Sequence, residues 1–167
     1  MDQQISPGEG YRLTLEPLDG TVRVEFNGEI IVQSDRVITL HESSLTPTYY
    51  FPMEDVRQEF LVASELTSLC AFKGDATYWS LKVGERTESN AAWGYNMPDD
   101  NVAAIAGHVA FYWDRMDGWY LNGEMIDAPE RDAEPTGINP LAQWLMHDAW
   151  SAKSTDDLVY KFCSGLV

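Results

Sequence analysis

The chain has no apolar run near the roughly 18 residues that a membrane-spanning helix requires, so a membrane span is not expected. Its first residues, Met1-Asp-Gln-Gln-Ile-Ser-Pro-Gly-Glu9, lack the basic and apolar regions of a secretory signal. Cysteine is scarce: Cys70 and Cys163 stand far apart with no paired spacing, which predicts a reduced, cytoplasmic protein. Basic residues are scarce too, 11 against 27 acidic ones, for a net charge of −16. The acids are spread along the chain rather than gathered in one tail. Phosphate binding depends on clustered Lys and Arg, so neither nucleic acid nor an anionic membrane is an expected partner. No glycine-rich phosphate loop precedes a helix. His41, Glu42, Cys70 and His108 would need the fold to gather them, because no two have ligand spacing within one element. No metal and no cofactor are therefore predicted.

What remains is a chain rich in apolar and aromatic residues, 44% and 12% of its 167 positions. A chain of that length buries about 70% of its unfolded surface and needs no disulfide staple. Residues 1–20 read as a peripheral segment, with Tyr11 to Leu15 able to add an edge strand. Thr21–Phe26 and Glu29–Gln33 alternate around Asn27-Gly28, the strongest short-range hairpin signal. Val37–Glu42 reads as a third strand. Pro47 and Pro52 bracket Thr48-Tyr49-Tyr50-Phe51 and confine that strand to a short or edge position. A helical turn is expected at Met53–Val56, and extended structure from Phe60. Thr77–Val83 alternates and turns at Gly84-Glu85. Pro98 with Asp99 and Asp100 starts a short helix over Val102–Ile105. His108–Trp113 and Trp119–Leu121 are further strands, the latter turning at Asn122-Gly123. Many short strands with turns every 8–12 residues predict a mainly β fold. It is a compact antiparallel sandwich or barrel-like domain over 21–125, with one short inserted helix.

Two prolines and four acids between Asp127 and Pro135 mark an acidic linker over 126–138. Beyond it, Asn139-Pro140 caps a helix with Leu141, Trp144, Leu145 and Ala149 at helical spacing. Ser154 caps a second, with Leu158, Val159 and Phe162 on one face. This C-terminal pair of short helices, 139–167, is too short to stand alone and is expected to dock on the β core or join a homo-oligomer.

Several separated motifs resemble a small bacterial family, domain of unknown function 427. They are Phe26-Asn-Gly-Glu29 with Ser34-Asp35, Leu40-His-Glu42, and Tyr49-Tyr50-Phe51-Pro52 with Asp55-Val56. Cys70-Ala-Phe-Lys73-Gly74 follows with Ala76 and Tyr78, then Ala92-Trp93 with Tyr95 and Pro98, and Val109-Ala-Phe-Tyr112. The resemblance runs from about Val22 to Trp113 and implies a compact, mostly β domain. The family carries a nucleotidyltransferase label, which would imply nucleotidyl transfer. In this chain Ala71 stands where the family usually has proline after the cysteine. Nucleotidyl transfer normally uses carboxylates that hold Mg²⁺ near phosphates. The nearest such pair here, Asp132-Ala-Glu134, lies in the linker.

Candidate chemistry centres on the Cys70–Tyr95 stretch. Cys70 beside Lys73 could be an activated nucleophile, although isolated cysteines usually serve as small buried hydrophobes. Glu42 could act as a general base or pair with Lys73, since Glu is rarely buried alone. Lys73 suits an anion anchor at a pocket mouth. Clustered Tyr and Trp line ligand pockets because their polar tips seek partners, and Tyr50, Tyr78, Trp93 and Tyr95 are the expected walls. The reading is a domain with an aromatic-walled pocket that binds a small molecule through Lys73 and Glu42. Its alternatives are an enzyme, by nucleotidyl transfer or cysteine chemistry, and an interaction module using the C-terminal helices.

Overall fold

A computed structural model of the chain describes residues 12–133. Eleven strands follow in order: β1 (Leu13–Pro17), β2 (Val22–Phe26), β3 (Glu29–Ser34), β4 (Ile38–Glu42), β5 (Thr48–Pro52), β6 (Leu61–Cys70), β7 (Gly74–Val83), β8 (Arg86–Tyr95), β9 (His108–Phe111), β10 (Gly118–Leu121) and β11 (Glu124–Ile126). They form two antiparallel sheets. One has seven strands in the order β1-β4-β5-β9-β8-β7-β6, and the other four in the order β11-β10-β2-β3. Neither closes on itself, so the architecture is an open sandwich rather than a barrel.

The β2–β3 hairpin forms at Asn27-Gly28, where both residues take positive φ, 49° and 78°. Val22, Val24 and Phe26 then face inward at the period of two that a pleated strand imposes. With Ile31 and Trp119 they meet Phe51, Leu81, Val109 and Phe111 of the larger sheet in an apolar core between the sheets. The two indoles at its edge satisfy their N–H groups on backbone: Trp113 donates to the Pro47 carbonyl and Trp119 to that of Trp113.

The short strand between the prolines does not lie at an edge. β5 sits inside the larger sheet, between β4 and β9, and its last pairing is Pro52 opposite His108. Proline lacks an N–H, so it limits the strand's length without excluding it from the interior. The meander β6–β8 is longer than the turn signals suggest, ten residues per strand. Register shifts between Ala63 and Thr67 and between Trp79 and Leu81, beside the polar Glu65, Glu88, Ser89 and Asn90, break the alternation. The inserted helix is a 3₁₀ segment, Asp100–Ile105, and single 3₁₀ turns occur at 53–55, 58–60 and 113–115.

β1 pairs with β4 along its whole length and is the edge strand that Leu13 and Leu15 suggest. Residues 127–133 have no regular structure, but backbone bonds from Asp132 to Leu45 and from Ser44 to Ala133 tie them to the chain after β4. The expected helices over 139–167 lie outside the described residues. Among the described residues no helix is long and apolar enough to cross a membrane.

Candidate functional site

The larger sheet is buried on both faces at its centre, and its second face carries the candidate residues. Alternation sends Tyr49 and Phe51 of β5 into the inter-sheet core and Tyr50 to the opposite side. Antiparallel register then aligns one row across five strands: Ile38, Tyr50, Ala110, Trp93 and Tyr78. Ala110 is the small residue in the middle of that row. It leaves room for Tyr50 and Trp93 to lean together, and the Trp93 indole N–H donates to the Tyr50 hydroxyl. Tyr95 and Ala76 form the neighbouring row with Ser68. Ser68, two residues before Cys70, shares its face and bonds the Tyr78 hydroxyl at 2.8 Å. Gly94 separates the two β8 aromatics for a steric reason: a Cβ there would lie 2.4 Å from the His108 carbonyl oxygen on β9.

The β6–β7 turn supplies the lysine. Lys73 N–H bonds the Cys70 carbonyl, and Gly74 follows with φ 98°. Asp99 N–H in turn donates to the Lys73 carbonyl, and the Asn101 amide donates to that of Phe72. The chain after β8 is thus fastened across the turn, and its 3₁₀ residues Val102 and Ile105 pack onto the aromatic face. From this turn Lys73 Nζ reaches Glu42 Oε2 at 2.7 Å, with both side chains buried. Glu42 is the last residue of β4. Ser44 takes φ 68° two residues later and turns the chain so that Leu45 N–H bonds the Glu42 carbonyl.

Electrostatics bind these groups into one constellation. Burial pushes the Tyr50 phenol well above its ordinary value. Lys73 and the Trp93 hydrogen bond pull against that shift, while Glu42 and Cys70 add to it. Burial thus favours the neutral phenol. Tyr50, Glu42, Cys70, Lys73 and Trp93 all act within this one neighbourhood, and Tyr78 and Tyr95 belong to the same buried cluster. Tyr112 joins them, its ring 4.4 Å from that of Trp93. Cys70 is buried at the end of β6, and no disulfide joins it to another described residue. The sequence offers no signal for Ser68 except its two-residue spacing from Cys70.

His41 parts company with Glu42, because adjacent strand residues face opposite ways. Its Nδ1 lies 3.2 Å from Asp132 and its Nε2 3.8 Å from Glu16. His108 Nδ1 lies 2.9 Å from the Ala106 carbonyl oxygen. Among the described residues no three His, Cys, Asp or Glu side chains converge as metal ligands. A groove of about 440 Å³ runs past this end of β4, lined by Arg12, Thr14, Glu16, His41, Glu42, Ser43, Asp132 and Ala133. Thr14, Glu16 and His41 share one face of the sheet, so Glu42 borders this groove at the strand end while its carboxylate turns to the other face and Lys73.

A family model described as a domain of unknown function, DUF427, matches residues 14–122, and the chain belongs to that family. Nucleotidyl transfer enters through the family's label alone. No curated protein matches the chain.

Proposed function

We propose that this DUF427 domain binds a small molecule on the second face of its larger sheet, with Lys73 and Glu42 as polar anchors. Tyr50, Tyr78, Trp93 and Tyr95 form its aromatic walls. The observation that carries the reading is the buried Lys73–Glu42 pair at 2.7 Å inside an aromatic cluster. Taking two charges out of water costs several kcal/mol per ion, on the order of what their attraction returns, so such a pair is a poor stabiliser. Apolar pockets with a few converging polar groups are, by contrast, the usual form of a ligand site. Cys70 serves in this reading as a buried wall residue with no nucleophilic part.

Tryptophan fluorescence during titration with a panel of neutral and charged metabolites tests the proposal. At least one compound is expected to change the emission, and the change should vanish in Trp93→Phe. A folded protein that answers no compound, or answers equally well without Trp93, would overturn it.

A further inference from the structure

The charges around Lys73 also select among ligands. We propose that Lys73 is a carbonyl-reactive lysine that condenses reversibly with a neutral aldehyde or ketone, an inference that rests on the pocket reading above.

Lys73 already carries Glu42 as its counter-ion at 2.7 Å. A carboxylate or phosphate ligand would place a second negative charge on the same buried ammonium, where a low dielectric magnifies repulsion. It would also have to approach a protein of net charge −16. A neutral carbonyl compound meets neither barrier. The walls of Tyr78, Trp93 and Tyr95 suit a flat, apolar body on that carbonyl.

The pair supplies the proton transfers that condensation needs. Glu42 takes a proton from the Lys73 ammonium across the existing hydrogen bond, leaving a neutral amine beside a neutral acid. Buried lysines are the side chains that serve as Schiff-base nucleophiles, because the interior disfavours their charge. The amine nitrogen bonds to the carbonyl carbon, and the carbonyl π pair moves to oxygen. Tyr50, held protonated in the cluster, is the donor suited to that oxygen as charge develops. The nitrogen's proton passes to the oxygen, which gives a carbinolamine. Glu42 then returns its proton to the hydroxyl, water leaves, and the nitrogen lone pair forms the C=N bond. The sum is ammonium plus carbonyl giving iminium plus water. One positive charge stands beside the Glu42 carboxylate before and after, and nothing is oxidised or reduced.

The test uses the intact protein, benzaldehyde as probe and cyanoborohydride to trap the iminium at neutral pH, with peptide mapping of the benzylated lysines. Lys82, exposed on β7, is the internal reference. Lys73 is expected to be labelled about tenfold faster than Lys82 or more, as a held nucleophile outpaces a solvated one. Glu42→Gln should slow Lys73 while leaving Lys82 unchanged. Labelling of Lys73 no faster than Lys82 overturns the inference. If benzaldehyde without hydride still perturbs Trp93 emission in that case, the pocket stands and only the carbonyl chemistry falls.

Discussion

The two faces of the seven-stranded sheet are built from the same strands and differ in what they hide. Between the sheets, Val24, Phe51, Val109, Phe111 and Trp119 make an apolar core, and the indole N–H groups at its edge end on backbone carbonyls. The opposite face takes alternate residues of the same β5, β8 and β9 and surrounds a lysine, a glutamate, a thiol and several phenols. Among the described residues its cover is one 3₁₀ segment and a turn rather than a second sheet. Folding needs the first face. The second concentrates costly polar groups where an apolar filling would suffice, and on that ground we propose it as the ligand-binding face.

The comparison breaks hardest at the inter-sheet core. Phe51→Ala should cost toward the upper end of about 3–5 kcal/mol, because a fully buried ring packed on Phe111 leaves a cavity that two sheets cannot close. The midpoint of urea unfolding reads this directly. Lys73→Met comes next, at most about 3 kcal/mol, since it strands a buried carboxylate that can escape part of the penalty by taking a proton.

The smallest effect belongs to the surface. The Arg86 guanidinium, 2.7 Å away, holds the Asp117 carboxyl below its ordinary value; burial opposes the shift and the Asn27 N–H assists it. A depressed folded-state value means that stability is present above the usual carboxylate range and is lost as pH falls through it, below about pH 4. Asp117→Asn should remove that part of the acid dependence. The change is under about 1 kcal/mol, because both side chains are some two-fifths exposed and screened.

Much of this comparison is legible in the chain. Asn27-Gly28 specifies its hairpin through two positive φ angles, and alternation in Val22–Phe26 points three residues inward. The motif residues Glu42, Tyr50, Cys70, Lys73 and Trp93 are readable as one chemical set. Their division between faces is not, because β5 is buried on both sides and Tyr49-Tyr50-Phe51 carries no polar mark of orientation. Register decides it: Tyr50 opposite Ala110 pairs strands far apart in sequence, and Ala110 opposite Trp93 then extends the row to β8. The partnership of His41 with Asp132 spans 91 positions and has no local signature. The extent of β6–β8 is obscured because register shifts within the strands interrupt the two-residue pattern.

The double variant Glu42→Met with Lys73→Met tests the central claim most directly, by measuring stability and Trp93-dependent ligand response in one protein. If the pair serves binding, the double variant keeps its stability to within about 1 kcal/mol of the parent and loses the response. A double variant as unstable as Lys73→Met alone, with the response intact, would make the pair an architectural element and contradict the account.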